Sequence, residues 1–247
     1  MALWLAILLL PLSLDLSIQD PEPEKPAPAA VEEKESHIAD PNSLLGKPAP
    51  SVVLSDFEGK SFDLSELSDE VVVLEWTHPS CRFSRRLNSQ HRVTPMIRRW
   101  TKEQVKWVSI DSTFFAHPEK IRPWVEKNSI KHPCLIDLEG LHAEAFGIRV
   151  TPTYVVVNRG QIVYHGALDD DVWGRKLERS LYLDDAIRHA VAEKEVASPL
   201  TRAYGMQLRT RRVEDERRAQ IDKARQKQNQ EAGEKGADSQ QSPSSEN

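Results

Sequence analysis

The sequence predicts an α/β fold: a mixed β-sheet flanked by helices on both faces. Three observations predict it. Val71–Trp76 (VVVLEW) is a continuous apolar run broken by one acid, the pattern of a strand buried on both faces. Val150–Gly166 (VTPTYVVVNRGQIVYHG) reads as two strands around a tight turn at Asn158-Arg159-Gly160, a late antiparallel hairpin. Helical stretches fall between the earlier strands, and in Leu181–Lys194 the apolar residues Leu183, Ile187 and Val191 recur every four residues. Strands linked through helices, followed by a hairpin, assemble into a mixed sheet with helices on either side.

The elements follow in order. MALWLAILLLPLSL opens the chain, an apolar run of signal-peptide length and shorter than the roughly 20 apolar residues a membrane span needs. Residues 1–19 are therefore expected to be a signal peptide or an uncleaved N-terminal anchor. Either places the protein outside the cytoplasm, in the periplasm or cell envelope, with membrane attachment through residues 1–16 as one outcome. Residues 20–45 carry Pro21, Pro23, Pro26 and Pro28 among acids, the composition of an extended, disordered linker. A domain is expected over 46–205. It begins with a short strand, a turn at Glu58-Gly59, a second short strand and a helical turn at Leu64 to Leu67. After the VVVLEW strand, Cys81 to Trp100 reads as one helix that Pro95 can kink. Val105 to Asp111 is a strand. Pro118 to Asn128 is a helix with proline in its first turn, where a missing N–H costs little. Cys134 to Asp137 is a short strand and Leu141 to Phe146 a short helix ending at Gly147. The hairpin and the Leu181–Lys194 helix complete the domain. Residues 206–230 read as a charged, solvated helix, and 231–247 as a disordered tail.

Charge narrows the function. The net charge of -5 offers no basic field for nucleic acid. Arg209 to Arg218 is basic but interleaved with Glu214, Asp215 and Glu216, as on a charged helix. Trp107, Trp124, Phe146 and Tyr154 read as core and not as a base-stacking platform. Only two cysteines are present, Cys81 and Cys134, too few for a disulfide-dense framework or a zinc site. No metal and no cofactor is expected. Cys134, after His132-Pro133, is open to three readings: a resolving thiol, a disulfide partner of Cys81, or an inert core residue.

A strand, a cysteine at a helix start, a Thr-Pro before a hairpin and a last amphipathic helix together resemble the thioredoxin superfamily. More closely the chain resembles the redoxins grouped with alkyl-hydroperoxide-reductase/thiol-specific-antioxidant proteins. The residues that carry the resemblance are Gly46-Lys47-Pro48-Ala49-Pro50, Trp76 to Phe83, Asp137, Thr151-Pro152-Thr153, and Gly166-Ala167-Leu168-Asp169-Asp170. It covers roughly residues 46–206. The departures are specific. Thioredoxins carry C-x-x-C, whereas this chain has Cys81-Arg82-Phe83-Ser84. Peroxiredoxins place Thr or Ser three residues before the reactive cysteine, and here that position is His78. Tyr204-Gly205 is followed by Met206 where related proteins often have a second cysteine.

A cysteine at a helix N-terminus has its thiolate favoured by the aligned peptide dipoles and free N–H groups. Cys81 is thus the expected nucleophile, with His78 and Arg82 as neighbouring sources of positive charge and Phe83 beside them. Ser84, one helical turn on, can offer its hydroxyl to the sulfur. It cannot close an intramolecular disulfide, so a mixed disulfide at Cys81 would be resolved by an external thiol, by a partner or by Cys134. Glu75 stands six residues before Cys81, where the resemblance implies a buried acid. Burial would raise its carboxyl and make it a proton carrier. The alternative is a strand-edge Glu paired to Arg85, Arg86 or a lysine. The resemblance implies a cis bond at Thr151-Pro152, Pro152 against Cys81, and Thr151 backbone free to pair with an extended substrate.

Two functions from different classes follow. One is an exported thiol–disulfide oxidoreductase with Cys81 as lone nucleophile, acting on a disulfide-bearing protein or a small thiol or peroxide, with a monothiol peroxidase as its variant. The other is a catalytically retired thioredoxin-like module that binds partners through the Thr151-Pro152 edge and its charged C-terminal helix.

Overall fold

The computed structural model describes residues 38–238. The expected signal or anchor at 1–19, most of the expected linker and the last nine residues lie outside the described residues.

The mixed sheet with helices on both faces is borne out. Seven strands line up as β2-β1-β5-β4-β3-β7-β8. They are β1 (Val53–Asp56), β2 (Ser61–Asp63), β3 (Val71–Trp76), β4 (Lys106–Asp111), β5 (Cys134–Ile136), β7 (Thr153–Asn158) and β8 (Gln161–Gly166). β3, β4 and β5 run parallel to their neighbours among themselves, and the remaining pairs are antiparallel. Alternation along VVVLEW sorts the core into two layers. Val72, Leu74 and Trp76 pack on one face with Phe146, Val155 and Ile148. Val73 points to the other, with Leu87, Tyr154, Val156 and Ile187. Glu75 shares that second face by the same period of two.

The expected single helix from Cys81 to Trp100 is two helices, α2 (Arg82–Ser89) and α3 (Thr94–Lys102). Pro95 does not kink a continuous helix. Its ring would clash with the carbonyl of residue 91 in one, and it suits a first helical turn, which needs no N–H there. His91 turns the chain between the two at a positive φ of 53°. The short helix α1 (Pro41–Leu44), capped by Asp40, precedes the expected domain start, and Ala39 N–H donates to Glu144 O at 3.0 Å. The remaining helices are α4 (Pro118–Asn128), α5 (Leu141–Ala145) and α6 (Tyr182–Val191).

At the far end the structure differs from the expectation of a solvated helix starting at 206. Two further strands, β6 (Val150–Thr151) and β9 (Met206–Gln207), pair antiparallel with Thr151 opposite Met206. Leu208, Thr210 and Glu214 are buried. Only then does the long helix α7 (Arg211–Asp238) leave the domain. No helix among the described residues is long and apolar enough to cross a membrane.

Candidate active site

β3 delivers the chain into a loop, residues 77–80, and Cys81 caps α2 with extended backbone (φ -71°, ψ 116°). A helix leaves its first N–H groups without intrahelical partners. Here two of them point at sulfur. The Ser84 amide donates to Cys81 Sγ at 3.4 Å, and the Arg82 amide donates to Met206 Sδ at 3.3 Å. Cys81 Sγ–H in turn donates to the Thr151 carbonyl at 3.0 Å. The Thr151–Pro152 peptide is cis, and both residues are buried against the thiol loop. The structure therefore brings Cys81, Ser84, Thr151 and Pro152 together.

Three expectations need correction. The Ser84 contact with the sulfur is made by its backbone N–H; its hydroxyl is buried without a hydrogen-bond partner among the described residues. His78 is no source of positive charge. Burial, with the Arg85 charge second, pushes its imidazole down to about 4, so it is neutral at physiological pH. Thr151 does not offer a free edge, because β9 already pairs with it. Gly205 makes that approach possible: a Cβ there would stand 1.9 Å from the Thr151 oxygen. Arg82 is exposed with its guanidinium 5.0 Å from the Phe83 ring centre, and Phe83 in turn lies 6.1 Å from the Tyr204 ring.

The sequence reading marked Tyr204-Gly205-Met206 only for its missing cysteine and did not read Tyr204 and Met206 as a cover over the thiol. Tyr204 OH donates to Asp169 at 2.6 Å, and Asp169, wholly buried, also accepts from Arg179 at 2.6 Å. This anchors the strand that covers the thiol. The signal was present: Met206 and Leu208 alternate with polar residues beside a glycine.

Glu75 is not paired to Arg85, Arg86 or a lysine. Its carboxylate accepts from Trp107 Nε1 at 2.9 Å, Tyr154 OH at 3.2 Å and Ser109 Oγ at 3.4 Å. Burial raises its carboxyl above the usual range, and these three donors only partly oppose that. Ser109 Oγ also lies 2.8 Å from His132 Nε2, so a hydrogen-bonded chain leads from Glu75 to His132.

Cys134 is a free thiol, as is Cys81. Burial first, then the Glu75 and Asp56 charges, pushes Cys134 up to about 12. That is poor chemistry for a resolving thiolate. Among the described residues no group of three or more His, Cys, Asp or Glu side chains is placed to hold a metal ion.

Residues 45–165 match the AhpC/TSA family. Over that stretch the chain is a thioredoxin-superfamily redoxin. Two solved structures share its fold. A hypothetical protein from Sinorhizobium meliloti is 23% identical with a TM-score of 0.61, covering 67% of this chain and 94% of its own. An uncharacterized conserved protein from Geobacillus kaustophilus is 21% identical with a TM-score of 0.61, covering 67% of this chain and 91% of its own. No curated protein matches the chain.

Proposed function

We propose that this redoxin is an exported thiol–disulfide oxidoreductase in which Cys81 is the single nucleophile. The carrying observation is the placement of Cys81 Sγ as the cap of α2, in reach of the Ser84 N–H, beside the Thr151 carbonyl. The helix end aims a backbone N–H at that sulfur. The Cys81 thiolate attacks a disulfide R–S–S–R′, forming Cys81–S–S–R and releasing R′–S⁻. With serine at position 84 and a poorly ionised Cys134, an external thiol attacks the R-side sulfur of Cys81–S–S–R, takes R as a new disulfide and releases the Cys81 thiolate.

Enclosure favours a small electrophile over a folded protein, because Cys81 is 0% exposed beneath β9. Thr77 Oγ1, His78 Nδ1, Ser84 Oγ and Thr151 Oγ1 are buried polar atoms without partners on the segments that converge there. The peroxide variant suits that enclosure, since ROOH is a small electrophile: Cys81–S⁻ takes one oxygen from ROOH, giving the sulfenate and ROH, and two external thiols reduce it with release of water.

The test uses the Cys134→Ser protein with oxidised glutathione, and separately with hydrogen peroxide plus a thiol donor. Mass spectrometry should locate a mixed disulfide on Cys81 that reduced glutathione removes. If Cys81 stays unmodified by both oxidants until the protein is unfolded, the retired binding module takes the place of the oxidoreductase. Export rests on residues 1–14, and a fusion of residues 1–45 to a reporter active only outside the cytoplasm checks it.

A further inference from the structure

On the Glu75 face of the sheet, between α3 and the turn joining α4 to β5, lies a groove of about 860 Å³. That is within the roughly 300–1,000 Å³ of small-molecule sites. β4 forms its floor. Its walls are apolar: Ile97 from α3, Val105 and Trp107 along the floor, and Trp124, Ile130 and Pro133 from the opposite bank. Trp124, expected in the core, is only half-buried here. An indole left half-covered beside a concave apolar surface is a ready contact for a ligand.

Charge around the groove is one-sided. Its lining includes four cations, Arg98, Lys102, Lys106 and Lys131, against one acid, Glu75. The acid lies deep, where burial favours its neutral form, and the cations lie at the rim. Arg98 and Lys102 are four residues apart on α3 and so share one face of it. Lys131 stands on the other bank. Lys106 is engaged by Glu70 at 3.4 Å, whereas among the described residues no ion pair engages Arg98, Lys102 or Lys131. Three unengaged cations on two banks of an apolar trough complement one molecular shape: an apolar chain ending in an anion.

We propose that this groove binds a long-chain carboxylate, its chain against Trp107 and Trp124 and its head group held by Arg98, Lys102 and Lys131. The site does not rest on the thiol chemistry, since none of its three cations touches Cys81 or its partners.

The experiment titrates the full chain with dodecanoate by calorimetry. A dibrominated 18-carbon carboxylate, a contact quencher, is followed in parallel by tryptophan fluorescence. One saturable site is expected. Affinity should rise about three- to fourfold per added methylene from octanoate to dodecanoate. Arg98→Glu with Lys131→Glu should weaken dodecanoate about tenfold or more, with the melting temperature unchanged because both side chains are exposed. Dodecanol, with the same chain and no charge, should bind about tenfold more weakly, and Trp124→Phe should shrink the quenched fraction. The proposal is overturned by unsaturable binding, by equal affinity for dodecanol, by indifference to charge reversal, or by a quenched fraction that ignores Trp124→Phe.

Discussion

Two buried thiols in one chain meet opposite surroundings. Cys81 and Cys134 are 0% and 5% exposed, and each follows closely on a neutral histidine, the buried His78 and the half-buried His132. What differs is the backbone around the sulfur. Cys81 caps a helix and receives an N–H. Cys134 opens a strand. The register aligns Tyr154, Glu75, Ser109 and Cys134 in one row across β7, β3, β4 and β5, so Cys134 looks along the sheet toward a carboxyl group. Its Sγ–H has only the His132 carbonyl, at 3.8 Å. Each thiol donates to a backbone carbonyl, Cys81 to Thr151 and Cys134 to His132, and only Cys81 also accepts an N–H. Burial is shared; the helix-end amide is not.

Acid breaks both surroundings at once. Burial holds His78, His132 and His165 at about 4, below the ordinary 6.5. Their folded values are depressed, so the stability they contribute is present above pH 6.5 and is lost as pH falls toward 4. Asp111, raised to about 6 by burial, and Glu75, also raised by burial, work in the opposite direction over the same range. Three imidazoles stand against two carboxyl groups. Denaturant unfolding at pH 7 and pH 4 should differ by a net loss on the order of a few kcal/mol; equal stability at the two pH values would contradict the neutral histidines.

Substitution separates the thiols. Cys81→Ser should reduce exchange with oxidised glutathione by about 100-fold or more, to the uncatalysed baseline. Cys134→Ser should stay within about twofold of wild type in the same assay. A comparable loss in both would return Cys134 to the reaction. Gly205→Val sharpens the contrast by removing one cover only. Its Cβ cannot fit against the Thr151 oxygen, so the β6–β9 pair should open. Native-state alkylation of Cys81 should then rise about tenfold, with Cys134 unchanged.

The smallest effect is electrostatic. Glu75→Gln removes the carboxylate that raises Cys134, and its alkylation at pH 10 should quicken about threefold. The same variant has a stability signature. Because the folded Glu75 carboxyl is raised, its contribution is present at low pH and fades as pH rises through the folded value. The advantage of Glu75→Gln over wild type should therefore grow with pH. A variant that gained nothing between pH 4 and pH 8 would contradict the raised carboxyl.

Much of this was legible in local pattern. VVVLEW announced the strand buried on both faces, the Asn158-Arg159-Gly160 turn announced the hairpin, and Cys81 stood at a helix start. Those features depend on neighbours within a few residues. The break at Gln90–Val93 was half-visible in Pro95, but proline is equally compatible with a kink and a fresh start, and only packing chooses between them. The cover over Cys81 was not read, because Met206 meets Thr151 across 55 positions of chain, and a β-bridge of two residues leaves little periodicity. The groove was invisible for a similar reason. Trp124 has the composition of a core residue, and only the spacing between α3 and the α4–β5 turn leaves it half-covered. Glu75 pointed to burial correctly, yet its partners Trp107, Ser109 and Tyr154 come from two other strands.

The strand over Cys81 carries a consequence in time. Met206 is made 125 residues after the cysteine it shields, and synthesis adds roughly 5–20 residues per second. For about 6–25 seconds, then, each newborn chain presents a bare thiol to whatever it meets during synthesis. The finished protein guards its sulfur, and the unfinished one depends on the redox company it keeps along the way.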